Sequence, residues 1–205
     1  MTSCSNSSHL RLGIAGLGTV GAGVIRLLRM NADLLSARAG RKLEVVAVSA
    51  QDRTRDRGID VSTLHWHDNP LDLVSDPDVD VVVELIGGSE GPARALVEKA
   101  LAAGKPVVTA NKALLAVHGS ALAKLSADNN APLLFEAAVA GGIPAIKTVR
   151  EGLAADKFLH VGGILNGTCN YILTVMRETG KDFDLVLKDA QDLGYAEADP
   201  STDID

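Results

Sequence analysis

The chain has 205 residues, 46% of them hydrophobic and 3% aromatic, with a formal net charge of −6. That length and apolar content allow a sizeable core, in one domain and the beginning of a second. An acidic balance without a basic face, and so few aromatic rings, argue against a nucleic-acid partner. Two cysteines, Cys4 and Cys169, build no disulfide framework and fit a reducing cytoplasm. No apolar run approaches a membrane span and no apolar leader follows a basic start, so a cytoplasmic location without a membrane partner is expected. Residues 1–9 read as a frayed polar tail.

The first structured stretch is the most informative. The apolar run 10–15 reads as a strand, and Gly16-Leu17-Gly18-Thr19-Val20-Gly21 follows at G-x-G-x-x-G spacing. Val24, Ile25, Leu27 and Leu28 then open an amphipathic helix. In such a turn Gly16 allows the tight bend, Gly18 lets a pyrophosphate approach the backbone, and Gly21 lets helix and strand pack closely. The phosphates would meet free N–H groups at the positive end of the helix dipole. A glycine-rich turn without a ligand is the plainer reading. The strand–turn–helix context favours dinucleotide binding.

Strand and helix signals then alternate. Residues 43–48 read as a second strand, 51–69 as a long polar connection, and 80–86 as a strand buried on both faces. Residues 92–103 read as a helix with Gly104 as its C-terminal cap, 106–109 as a strand, 114–129 as a helix and 133–135 as a strand. The alternation predicts an α/β domain over 10–142, a Rossmann-type, doubly wound, mostly parallel sheet. After Gly142 the rhythm changes. A helix over 144–153, a strand over 158–165, and helices over 168–177 and 183–193 read as the start of an α+β substrate and dimerisation domain, 143–205.

Cofactor choice turns on the tip of the second strand. An acid about 20 residues past the glycines holds the ribose hydroxyls in NAD enzymes. Here the segment runs Ser49-Ala50-Gln51-Asp52-Arg53-Thr54-Arg55. Ser49, Arg53 and Arg55 could hold the 2′-phosphate of NADP, or the arginines, with Arg57, could be solvated loop charges. Asp52 keeps NAD open.

Other candidates carry competing explanations. Lys112 follows a strand end at the sheet edge where α/β ligands bind, and a lysine there can polarise a carbonyl or act as a base; otherwise it is a solvated lysine at a helix start. Glu136 precedes a small-residue stretch whose carbonyls could surround a hard cation, or it ends a strand beside glycines that allow close packing. Glu197 could pair with a substrate ammonium, or be an exposed loop acid. Thr168 suits a helix N-cap, Cys169 reads as a small buried residue, and His65-x-His67 reads as loop.

Six segments in order then resemble homoserine dehydrogenase. They are 16–21, Glu84-Leu85-Ile86-Gly87-Gly88, Thr109-Ala110-Asn111-Lys112-Ala113-Leu114-Leu115, 136–144, Gly163-Ile164-Leu165-Asn166-Gly167-Thr168-Cys169-Asn170-Tyr171, and Leu193-Gly194-Tyr195-Ala196-Glu197-Ala198-Asp199-Pro200. The resemblance implies interconversion of L-homoserine and L-aspartate 4-semialdehyde with NADP or NAD, on the route to threonine, methionine and isoleucine. It implies cofactor contacts at Gly16, Leu17, Gly18, Thr19, Val20, Gly21, Arg53, Thr109, Lys112 and Gly194, with Lys112 also catalytic and Glu197 binding substrate. It implies a sodium ion on the Glu136 carboxylate and the carbonyls of Val139, Gly141 and Ile143, and a homodimer at full length. The family commonly has an arginine just after the second strand where this chain has Gln51. Its members carry an aspartate and a proton-transferring lysine beyond the Asp199-Pro200 segment, so the chain is expected to be an amino-terminal portion. A catalytically inactive dinucleotide-binding module or redox sensor is the competing reading.

Overall fold

The computed structural model describes residues 8–163 and 166–196. The chain divides into two compact units, 1–148 and 149–205, a few residues past the expected boundary at 142.

The first unit is built on a six-stranded sheet. Its strands are β1 (His9–Ala15), β2 (Lys42–Ser49), β3 (His65–His67), β4 (Val81–Glu84), β5 (Val107–Thr109) and β6 (Leu133–Leu134), in spatial order β3-β2-β1-β4-β5-β6. Every neighbouring pair is parallel. The helices are α1 (Thr19–Met30), α2 (Ala32–Ala39), α3 (Asp72–Ser75), α4 (Pro92–Ala102), α5 (Lys112–Asp128) and the single turn α6 (Ala145–Lys147). Side chains alternate across β4. Val82 enters an apolar layer with Leu96, Val97, Leu101, Leu114 and Leu122, while Val81 and Val83 enter another with Ile14, Ile25 and Val48. Burial on both faces is why these strands read as continuous apolar runs. The strand order reverses between β1 and β4, which opens a crevice at their carboxyl ends.

Several elements differ from expectation. The connection 51–69 contains β3, a strand too short to show periodicity, which exists by pairing with Ala47–Ser49. Helix α2 was not foreseen; it has no buried residue and so no strong apolar stripe. The third apolar strand stops at Glu84, because the carboxylate of that residue captures the N–H groups of Ile86 and Gly87 and turns the chain. The helix expected over 144–153 is only α6 followed by a wide turn at Thr148–Gly152.

In the second unit, α7 (Gly167–Thr179) packs on α8 (Phe183–Asp192) around Ile172, Val186, Ala190 and Ala196. The N-cap of α7 is Asn166, whose side chain accepts the Cys169 N–H at 2.9 Å. Thr168 is not the cap; its hydroxyl donates to the Tyr195 carbonyl at 2.6 Å. The strand expected over 158–165 does not form over its described part, and residues 164 and 165 lie outside the described ones. A strand needs a ladder partner, and among the described residues of this unit none is extended beside it; Leu159 stays 92% exposed.

Candidate functional site

The glycine turn sits at the crevice. Gly16 leaves β1 with φ +97°, and a Cβ there would lie 2.4 Å from the Leu85 carbonyl oxygen. A Cβ on Gly21 would lie 2.0 Å from the Gly16 carbonyl, so α1 and the turn touch through backbone. Gly18 differs: no atom lies within 4 Å of where its Cβ would be. The turn is therefore closed toward the protein and open outward at Gly18, the N-cap of α1. An N-cap without a side-chain acceptor leaves first-turn N–H groups for an anion.

A cleft of about 330 Å³ runs from this turn, lined by Gly16, Leu17 and Gly18, by the β2 tip Ser49-Ala50-Gln51-Asp52, by Arg55 and Arg57, and by Leu85 and Ile86. Arg57 is not a solvated loop charge. Its Nε donates to the Leu17 carbonyl at 3.0 Å, and its terminal nitrogens donate to the carbonyls of Arg55 and Asp52. It fastens the post-β2 loop to the glycine turn, and no local sequence signal marks that role. Arg53 and Arg57 both lie over the Trp66 ring at 5.7 Å. The Asp52 carboxyl is held below the usual range by the Thr54 hydroxyl and then the Thr54 N–H, so it stays charged at neutral pH.

Thr109, Lys112 and Glu84 share the same carboxyl edge. Glu84 is fully buried. One of its oxygens accepts the N–H groups of Ile86 and Gly87, and the other accepts the Thr109 hydroxyl at 2.6 Å. Thr109 in turn accepts the Asn111 N–H, and Asn111 caps α5 through Leu114 while donating to the Gly88 carbonyl at 2.7 Å. Lys112 is the first residue of the capped helix and is exposed. It borders a separate depression with Leu115, Phe135, Ala138 and Val139, rather than the glycine-turn cleft.

The expected sodium ligands follow β6. Both Glu136 oxygens accept backbone N–H groups, from Ile146 at 3.1 Å and Lys147 at 2.8 Å, and the Ile143 carbonyl accepts from Ala145. Gly141 and Val139 lie on the intervening turn, where Ala140 takes a positive φ. The Glu136 carboxylate and the Ile143 carbonyl thus each accept backbone N–H groups. Gly194 belongs to the second unit, at a positive φ just past α8. Glu197 lies outside the described residues.

A parallel sheet with a glycine turn at its switch point defines a dinucleotide-binding domain of the Rossmann class. A family model described as "Homoserine dehydrogenase, NAD binding domain" matches residues 16–136, and one described as "Homoserine dehydrogenase" matches 144–205. The chain belongs to the homoserine dehydrogenase family. It is 50% identical over 196 residues to a homoserine dehydrogenase of Neisseria gonorrhoeae, covering 96% of this chain and 45% of that one. It resembles the crystal structure of a homoserine dehydrogenase from Thiobacillus denitrificans with a TM-score of 0.86 and 49% identity, over 96% of this chain and 45% of that one. A hyperthermophilic archaeal homoserine dehydrogenase solved with NADPH matches at a TM-score of 0.78 and 27% identity, over 96% and 65% of the two chains. The chain thus spans about 45% of the length of the curated relatives it matches. Among the described residues no helix is long and apolar enough to cross a membrane.

Proposed function

We propose that this chain carries the dinucleotide-binding portion of an NAD(P)-dependent oxidoreductase that interconverts L-homoserine and L-aspartate 4-semialdehyde. The observation that carries the reading is the turn at Gly18, backed by protein and open at the positive end of α1. The free N–H groups at the Gly18 end of the turn would hold the pyrophosphate, with Gly16, Leu17, Thr19, Val20 and Gly21 shaping the turn around it. The bound nicotinamide supplies the hydride acceptor.

At the far end of the cleft the two cofactors make different demands. A 2′-phosphate would meet Arg55, with Ser49 and Arg53 nearby in the chain; ribose hydroxyls would meet the charged Asp52. Lys112, set at the exposed start of α5 by the Asn111 cap, would take the substrate oxygen, whose charge changes as the alcohol becomes a carbonyl. Thr109 keeps that helix start in place through the Asn111 N–H, and Gly194 would be a cofactor contact by the family resemblance alone. Glu197 would pair with the substrate ammonium.

A sodium ion at Glu136, Val139, Gly141 and Ile143 is the finer reading. It would have to share a carboxylate that already accepts two N–H groups. A homodimer and a cytoplasmic location belong to the same reading.

Titration of NADPH or NADH fluorescence with and without homoserine tests it. The expected result is tighter dinucleotide binding in the presence of homoserine. Binding indifferent to homoserine would favour an inactive dinucleotide module or redox sensor.

A further inference from the structure

We propose that His65, His67 and Asp76 bind a divalent transition-metal ion of the zinc class at the outer edge of the sheet. β3 is the edge strand, and residues two apart on a strand project to the same side. Asp76, the C-cap of α3, brings its carboxylate to that side. His65 Nδ1 and His67 Nε2 each lie 2.9 Å from the same oxygen, Asp76 Oδ2. The three ligand atoms lie within 4.8 Å of one another. Two metal–ligand bonds of about 2.0–2.1 Å, meeting between a right angle and the tetrahedral angle, span roughly 2.9–3.4 Å. The two imidazole–carboxylate separations already lie in that range, and the two ring nitrogens lie within 4.8 Å of each other.

The donor set selects the ion. Two imidazoles and one carboxylate suit zinc, cobalt or nickel, whereas magnesium and calcium take oxygen ligands. A neutral imidazole can carry its proton on the other ring nitrogen, which frees Nδ1 of His65 and Nε2 of His67 as lone-pair donors. The carboxylate is held from behind: its second oxygen accepts the Asp78 N–H at 2.8 Å, and Lys105 Nζ binds the Asp76 carbonyl at 2.7 Å. Such outer contacts orient ligands in metal sites. Asp76 is buried with 3% of its side chain exposed, while His65 is 67% exposed, so an ion can enter from the His65 side and keep a water there. The plainer account is a hydrogen-bonded cluster that only ties β3 to α3. A bound ion would do more. It would fix the segment after β3, where Asp68 and Pro70 line the dinucleotide cleft.

The test uses the untagged 205-residue chain after chelator treatment. Zn²⁺ titration by calorimetry should show one ion per chain, and Co²⁺ should give the visible bands of a low-coordinate site. His65→Ala/His67→Ala should weaken Zn²⁺ by more than the roughly 10–100-fold typical of losing an outer contact. Should that variant fold poorly, ring-nitrogen NMR of the unmodified chain decides: Zn²⁺ should shift His65 and His67 and leave His9, His118 and His160 in place. Wild-type affinity in the double variant, no binding at all, or shifts confined to the other histidines would leave a hydrogen-bonded cluster only and overturn the proposal.

Discussion

The Thr109 hydroxyl donates to the fully buried Glu84 carboxylate at 2.6 Å and so joins the carboxyl ends of β5 and β4. Through Asn111 the same network reaches Gly88 and the first turn of α5. A buried carboxylate is tolerable only when its oxygens are occupied, and three donors occupy these. Leu85 and Ile86, which wall the cleft, and Lys112, which starts α5, are therefore positioned by one hidden residue.

Removing the Thr109 hydroxyl should expose that dependence. Thr109→Val leaves the Glu84 oxygen without its donor and the Asn111 N–H without its acceptor. A loss of about 2–4 kcal/mol is expected, measured by urea denaturation. Thr109→Ser should retain most of the stability. Equal loss in both variants would mean that the methyl group, not the hydroxyl, matters.

Two glycines of the turn should separate structure from binding. Gly21→Ala forces a Cβ onto the Gly16 carbonyl and should cost about 3 kcal/mol or more. Gly18→Val meets nothing in the protein and should melt near the wild-type temperature. It should nevertheless weaken NADPH and NADH by about an order of magnitude or more, because it disturbs phosphate hydrogen bonds of about 1.5–3 kcal/mol each. Unchanged affinity in a folded Gly18→Val chain would remove the turn as the binding site.

The parts of this architecture that were legible in the sequence are those with local signals. The glycine spacing, the doubly buried run of valines before Glu84 and the helix pattern after Pro92 each reflect the physics of one segment. The unread parts depend on partners far away in the chain. β3 is three residues that become a strand only beside β2. Arg57 looks like one more loop arginine until its contact with Leu17, 40 residues earlier, is seen. Glu84 follows the valine run directly, yet nothing local says that its carboxylate turns inward. The strand expected over 158–165 does not form over its described part, 158–163, for the converse reason, since apolar composition cannot supply a ladder partner.

Arginine replacements should discriminate between the two cofactors. Arg55 lines the cleft, Arg53 stacks on Trp66, and Arg57 is engaged with backbone carbonyls. Arg53→Ala/Arg55→Ala should weaken NADPH more than NADH, because only NADPH carries the 2′-phosphate. Arg57→Ala should weaken both alike, since it loosens the turn that holds the shared pyrophosphate. Fluorescence titration of both cofactors reads the difference. Equal weakening in the double variant would place the preference elsewhere, with Asp52 the next residue to change.

Acid should weaken the first unit through Arg11 and Asp80. Arg11 on β1 donates from its backbone N–H and Nε to one Asp80 oxygen and from Nη2 to the other, just ahead of β4. The Asp80 carboxyl is held below its ordinary value chiefly by the Arg11 side chain, against a smaller opposing effect of burial. The folded state therefore binds that proton less readily than the unfolded chain does. The resulting stability is complete above the unfolded value of about 3.9 and disappears as pH falls through the lower folded value. Asp80→Asn keeps the shape and an acceptor oxygen but removes the charge. It should be less stable than wild type at neutral pH, with the gap narrowing once the pH drops below about 4. Urea denaturation of both chains from neutral to acid pH measures that gap. A gap constant across the series would show that Asp80 acts through shape alone, with no contribution from its charge.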